Sequence, residues 1–262
     1  MTWKPGDDFD ALYAQHISLS DRAFFSNAGL LPDWMIEKHI PIKPFLPEQI
    51  KTDRHNRPII SYGLGPYGYD ISLGYKFKIF TASRCAVVDP LNIDPKAFWD
   101  EEVDRPDNSD HIWASGPGEK LLTCSRCGQQ VSHPNFAAKI CPGDGRRHCD
   151  MPFIMVPPNS MVLGEAIEWI EMPRDCMGLC IGKSTYARCG ITNPITPIEP
   201  GWKGRLTLEI ANQNPLPAKV YPGQGIAQIL FFRALAECKT AYNERPGGGK
   251  YQGAPGLQLP RV

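Results

Sequence analysis

Residues 182–212 read GKSTYARCGITNPITPIEPGWKGRLTLEIAN. At the C-terminal end of the stretch, Leu206, Leu208 and Ile210 alternate with Arg205, Thr207 and Glu209, the two-residue period of a strand with one buried face. Before it, Gly and Pro punctuate the chain so often that only STYAR has room to turn as helix. A long alternating strand between closely spaced turns belongs to a mainly β protein. The same stretch gathers Lys183, the hydroxyls of Ser184 and Thr185, the cation of Arg188, and the carboxylates of Glu199 and Glu209. Oxyanion donors, a cation and a carboxylate this close in sequence suit a phosphorylated substrate attacked by water. A turn at a helix start flanked by Lys, Ser and Arg fits phosphate oxygens, although an ordinary exposed helix start has the same residues. Glu209 stands on an otherwise apolar strand, where carboxylates are seldom placed unless paired or functional. A solvent-facing Glu on an edge strand is the plain alternative.

The flanking sequence extends the β reading. Residues 177–181 form a short apolar run that predicts a buried strand leading into the stretch. Residues 218–221 and 226–232 predict two more strands around a YPGQG turn, and FIMVPPNSMVLGEAIEWIEMP predicts strands around Pro-Pro-Asn-Ser. In SYGLGPYGYDISLGYKFKIF, Ile71, Leu73, Tyr75, Phe77 and Ile79 alternate with smaller or charged residues, which predicts a half-buried strand. Val87 and Val88 are expected to end a further strand before DPLNIDP. Residues 8–40 read as helical, with Ser20 as an N-cap and Gly29 as a stop signal. A second short helix over 33–39 begins after Pro32, and Trp34, Met35 and Ile36 are read as core. The tail AYNERPGGGKYQGAPGLQLPRV has no apolar periodicity and is expected to be mobile until something orders it. Within it GGGKYQG resembles a flap, with hinge freedom from the glycines and Lys250 in reach of a phosphate.

The totals exclude several classes. Lys+Arg and Asp+Glu are equal at 28 each, which argues against a broad nucleic-acid or membrane face while leaving a local phosphate pocket open. No apolar run approaches the roughly 18 residues of a membrane span. The N-terminus has no signal pattern, so the chain is expected to be cytoplasmic. An odd count of 9 Cys, clustered in one region, fits metal binding better than a disulfide framework.

IGKSTYARCGI, ITPIEPGW, TLEIAN, LPAKVYPGQGIAQILFF and KYQG, in that order and spacing, resemble the dCTP deaminases of the trimeric dUTPase superfamily. SYGLGPYGYDIS, LSDR and VPPNSMVLGEAIEWIEMP match the same family, so the resemblance covers most of residues 18–98 and 152–262. It implies a mainly β, dUTPase-like distorted jelly roll or barrel with N-terminal helices, assembled as a homotrimer with each site at a subunit boundary. It implies dCTP as substrate, converted to dUTP and ammonia, with magnesium entering on the triphosphate and no catalytic metal. Consistently, the His-x-Glu and Pro-Cys-x-x-Cys signature of the zinc deaminases is absent from the sequence. Glu209 would be the proton donor and acceptor, with Ser184 and Arg188 steadying the water and the developing charge. Lys183, Ser184, Thr185, Tyr186, Ala187 and Arg188 would hold the triphosphate and ribose side. Thr207 and Leu208 would flank the base, Gln228 and Tyr242 would line the pocket, and Glu199 and Lys250 complete the implied substrate contacts. Two positions depart from the commonest pattern. Glu199 stands where many relatives carry Asp, which keeps a bifunctional deaminase–diphosphatase giving dUMP among the alternatives. Ala254 stands where the family's Lys-Tyr-x-x-Gln places its Gln, with Gln252 the nearest amide. A nucleotide-sensing member without turnover is the alternative from outside the enzymes.

The chain reads as one deaminase-like domain over residues 1–262, with a Cys-rich insertion over 100–151 where the family runs directly from strand to strand. Cys124-x-x-Cys127 is a strong metal half-site because its spacing lets both thiolates face one ion. Cys141 and Cys149 complete the best quartet for a structural zinc, with His148 replacing Cys149 as the main alternative and a surface loop of unremarkable thiols as the other. Cys85, Cys176, Cys180, Cys189 and Cys238 are read as small buried hydrophobes.

Overall fold

A computed structural model describes residues 28–53, 56–81, 87–103 and 151–261, together with the backbone of 113–114, 121–124 and 130–132. The chain enters through β1 (Gly29–Leu30), α1 (Asp33–His39), β2 (Ile42–Lys43), β3 (Ile50–Thr52), β4 (Pro58–Gly65) and β5 (Gly68–Phe80). Then come β6 (Phe98–Glu102), β7 (Trp113–Ala114), β8 (Leu121–Cys124), β9 (Gln130–Ser132), β10 (Ile154–Val156), β11 (Ser160–Glu171) and β12 (Cys176–Gly182). The one-turn helix α2 (Ser184–Ala187) precedes β13 (Ile191–Thr192), β14 (Thr196–Ile198), β15 (Lys203–Asn212), β16 (Ala218–Val220) and β17 (Gly225–Arg233).

The 13-residue β5 is the spine, because it is long enough to serve two sets of strands. Its first part pairs with β4 and β17, and β17 continues to β12 and β14. Its second part pairs with β6 and β11, and β11 continues to β15 and β13. The result is one curled antiparallel sheet in the order β13-β15-β11-β5-β17-β12-β14. Register shifts between Gly225 and Ala227 and between Gly164 and Ala166 supply the local bending such a curl needs. At Gly225 the curl brings backbone onto backbone: a Cβ there would lie 1.9 Å from the Ser61 carbonyl oxygen, so only glycine fits. Tyr69, Ile71, Leu73, Phe77, Val162, Ile170, Leu206, Leu208, Ile210, Ile229 and Phe231 close one core between the two sets. The fold is mainly β, as expected. β7, β8 and β9 pair with one another in a separate three-stranded sheet, in the order β7-β8-β9.

Glu168 and Asp70 are buried carboxylates among the described residues, and Glu168 is the deeper. Glu168 is 1 % exposed, and Ser72 holds it through its N–H (3.1 and 3.0 Å to the two carboxyl oxygens) and its hydroxyl (2.7 Å). Burial pushes its carboxyl up to about 7, against the pull of the Ser72 hydrogen bonds and the Arg205 charge.

Several sequence expectations shift. The first half of β5 is buried on both faces rather than one. Residues 28–32 are extended rather than helical: Gly29 and Leu30 pair with Arg233 and Phe232 of β17. Helix α1 occupies 33–39 as predicted, with Ile36 in the core and Met35 half-buried against it, whereas Trp34 is 61 % exposed, since a short helix turns one face to the core. Val87 and Val88 lie exposed outside any strand. The predicted strand over 177–181 is present within β12, but Met177 faces outward. Cys176 and Cys180 are buried as read, with both thiols pushed up to about 12 by desolvation, whereas Cys189 is exposed and Cys238 half-buried. The N-terminal helix ending near Gly29, the LSDR motif and Cys85 lie outside the described residues. So do Cys127, Cys141, Cys149 and His148, and of Cys124 only the backbone at the end of β8 is described.

Candidate active site

β15 presents Arg205, Thr207, Glu209 and Ala211 on the face opposite its core residues, and a cavity of about 880 Å³ opens against them. Met161 and Leu163 of β11, which stand directly across from Ala211 and Glu209, form part of its floor. Phe80 and Phe98, in edge-to-face contact at 5.8 Å, close one side. Thr196, Ile198, Glu199 and Trp202 close another, and Tyr242, Tyr251, Ala254 and Gln258 come from the tail. The walls are largely apolar, so Glu209 is a half-buried carboxylate in a poorly solvated setting. Burial raises its pKa above the usual glutamate range, with an opposing hydrogen bond to the backbone. A carboxyl raised in this way holds a proton more readily than an ordinary glutamate, as a group that both takes and returns one requires.

The tail is docked rather than loose, which corrects the expectation of mobility. Ala254, 6 % exposed, bridges to Gly204, and its carbonyl accepts the Arg205 N–H at 2.9 Å. Gly253 N–H donates to Lys203 O (2.8 Å), and the Trp202 indole N–H donates to Tyr251 O (3.1 Å). Tyr251 N–H in turn donates to the Tyr242 hydroxyl at 3.0 Å. Beyond this bridge the tail crosses the cavity face: Leu257 N–H donates to Glu165 (3.3 Å) and Gln258 N–H to the Thr207 hydroxyl (2.9 Å). Thr207 and Glu165 are cross-strand neighbours, so one pair of side chains seats the crossing. Gln252 is taken up at the tail's edge, accepting Lys203 N–H at 3.3 Å and donating to Gly201 O at 3.2 Å. The small side chain at position 254 therefore has a packing reason: it lies in the tight bridge to Gly204, where the backbones approach closely.

The predicted site residues fall into two groups. Glu209, Thr207, Glu199 and Tyr242 line the cavity, with Glu199 ion-paired to Arg245, whose guanidinium lies 5.1 Å over the Tyr242 ring. Leu208 is core and does not line the cavity. Lys250 is exposed and does not line the cavity. The other group lies around α2. Ser184, Thr185, Ala187 and Arg188 are exposed, while Tyr186 is turned into the core with its hydroxyl accepting Tyr221 N–H at 3.1 Å. Gln228 stands directly across from Ile181 on β12 and Asp70 on β5, beside Lys183 rather than Glu209. Among the described residues, none of 183–188 lines the cavity that holds Glu209. Within one chain the two groups do not converge. Sequence reasoning assigned no role to Arg205, Trp202, Tyr251 or Gln258, although Arg205 was visible on the same strand face as Glu209.

A family model described as dCTP deaminase-like matches residues 146–234. The chain is 39% identical over 228 residues to the dCTP deaminase of Xanthomonas campestris pv. campestris (strain B100), covering 87% of this chain and 94% of that protein. It is 40% identical over 228 residues to the dCTP deaminase of Albidiferax ferrireducens, with the same shares covered. The chain belongs to the dCTP deaminase family. Among solved structures it is similar to the 2'-deoxycytidine 5'-triphosphate deaminase of Agrobacterium tumefaciens, with TM-score 0.45, 15% identity, and 79% of this chain and 49% of that chain covered. The fold described above rests on its own strand pairing. The matched residues take in β10 through β17 with α2.

Proposed function

We propose that the protein hydrolyses dCTP to dUTP and ammonia, with Glu209 as the proton-transfer group. The observation that carries this is a half-buried carboxylate of raised pKa, on an alternating strand, facing a largely apolar cavity. Glu209 in its ionised form takes a proton from water, and the hydroxide adds to the amino-bearing ring carbon. The same carboxyl then returns the proton to the departing amine, which leaves as ammonia, while the added hydroxyl passes its own proton to ring N3 and becomes the ring carbonyl. Thr207 and the backbone of Leu208 flank the base. Ser184 and Arg188, exposed on α2, are the donors for the water and the triphosphate, with Thr185, Ala187 and the backbone of Tyr186 alongside. Magnesium accompanies the triphosphate. Purified protein incubated with dCTP should release ammonia and dUTP, and Glu209→Gln should lose turnover by about 10²–10⁴-fold while binding dCTP within a few-fold of wild type. Absence of ammonia release from wild type would leave only the sensing reading. The diphosphatase reading predicts dUMP and pyrophosphate instead. Glu199, its candidate base, is committed to Arg245, so deamination alone is the better-supported reaction.

The separation of the α2 group from the Glu209 cavity supports a homotrimer in which one copy's α2 completes a neighbour's cavity. The Cys-x-x-Cys half-site supports a structural zinc held by Cys124, Cys127, Cys141 and Cys149 in an insertion within a single domain. Metal analysis giving less than about one zinc per three chains would remove that proposal.

A further inference from the structure

Among the described residues that line the Glu209 cavity, Arg205 is the one basic side chain. It shares the outer face of β15 with Thr207 and Glu209 and stands four residues before Glu209, about 13 Å along the backbone at the usual strand rise. Its main chain is fixed on both sides: the N–H donates to Ala254 O of the tail at 2.9 Å, and Trp169 of β11 stands directly across from it. Its side chain is not so well served. The Nε–H is buried with no hydrogen-bond acceptor among the described residues. The acceptors that share the cavity wall with it are committed elsewhere. Glu199 is paired with Arg245, the Gln258 side-chain carbonyl takes the Arg261 guanidinium, and the Thr207 hydroxyl accepts Gln258 N–H. Glu168 acts on Arg205 through charge from the core, but Ser72 holds both of its oxygens. A buried donor left unmade is costly, so the missing acceptor is best supplied by what enters the cavity. A guanidinium matches phosphate oxygens in both charge and shape.

We infer that Arg205 is a further binding residue of this cavity, taking a phosphoryl oxygen of the nucleotide while the base lies at Glu209. The assignment rests on the proposed reading that the amino-bearing ring carbon of dCTP lies beside Glu209. Thr207 flanks the base in that reading. Arg205, the next residue of the same face, then falls past the ring, where the sugar and phosphates of the nucleotide continue. Its neighbours Trp202 and Ala254 bring no charge to the cavity, so within one chain the phosphate meets Arg205 as the sole cation of the described wall. Arg205 thereby lets the cavity rank ligands by phosphate, a contact that deoxycytidine cannot make.

The test uses the full-length protein and the variants Arg205→Gln and Arg205→Lys, with kcat/KM for dCTP and inhibition by inorganic triphosphate and by deoxycytidine as readouts. A phosphate contact predicts that Arg205→Gln loses about 10–100-fold in kcat/KM and weakens triphosphate inhibition by a similar factor. Deoxycytidine inhibition should stay within about twofold of wild type, a split that a merely structural residue would not give. Arg205→Lys, which keeps the charge but not the fork, should stay within about tenfold of wild type. If Arg205→Gln fails to fold, Arg205→Met, which keeps the chain length and removes the buried polar group, takes its place. Deoxycytidine inhibition weakened as much as triphosphate inhibition would assign Arg205 to the base or to the shape of the cavity, and overturns the inference. So does a neutral variant with wild-type values throughout. Glu209→Gln separates the two levels. Should it release ammonia as wild type does, the cavity is not the site and both readings fall. Should it be inactive while Arg205→Gln behaves as wild type, only the role of Arg205 falls.

Discussion

Glu209 owes its raised pKa to its place rather than to a charged partner. Desolvation by burial is the main cause, so the apolar residues around it set its proton affinity, and with it the acid limb expected of the proposed reaction. Water activation needs the ionised form. Activity should therefore fall as pH drops through a midpoint above the ordinary glutamate value of 4.5, an acid limb readable as kcat/KM against pH. Replacing Leu163, which stands across the ladder from Glu209, by Asn should hydrate the carboxyl and move that midpoint down toward the ordinary value; an unmoved limb would assign it to another group. Glu209 was visible in the sequence as a lone acid on an apolar strand. Whether it faced bulk solvent or a cavity was not, because alternation names two faces without saying what covers the outer one.

Among the elements, the tail and β15 are coupled through a few small groups. Gly256 sits so close to Glu165 that an added Cβ would lie 2.1 Å from its carboxylate oxygen. That oxygen is the far end of a flexible side chain, so Gly256→Ala should push Glu165 aside rather than break the strand. The cost falls on the Leu257 N–H bond, and amide exchange over residues 256–258 should speed by about tenfold, the equivalent of one ordinary hydrogen bond. Unchanged exchange there would mean that the bridge at Ala254 alone holds the tail. This docking was not legible in the sequence: segments held by backbone bonds to an edge carry no apolar period, and the tail's contacts are mostly of that kind. The strands were legible because their side chains alternate, and β15 appears at the predicted residues. The extended entry at Gly29 and Leu30 was missed for the opposite reason, since a two-residue pairing is decided by the partner strand β17 and not by local pattern.

Across the whole molecule, two consequences can be measured. Glu168 titrates at about 7 in the folded core against 4.5 for an ordinary glutamate, so between those values the folded state binds the extra proton. Stability from this group is therefore greatest below about pH 4.5, falls as pH rises through the window to about 7, and changes no further above it, by about 3 kcal/mol in all. Glu168→Gln should flatten that part of the stability curve in denaturant titrations and gain relative to wild type as pH approaches 7. Assembly gives the second measurement. If α2 of one copy completes the cavity of another, Glu209→Gln and Arg188→Ala chains should each be inactive alone. Co-refolded in equal amounts, they should recover about a quarter of wild-type turnover. No recovery in mixed particles of three times the 29.2 kDa chain mass would place both groups in one copy's site. Trp202, finally, gives the molecule its own optical reporter. It is 6 % exposed, lines the cavity, and its indole N–H is spent on the tail's Tyr251 carbonyl, so its emission should shift to the red and quench when the tail lifts. Subtracting the spectrum of a Trp202→Phe protein would isolate that signal, letting opening and closing be timed in stopped flow without any label.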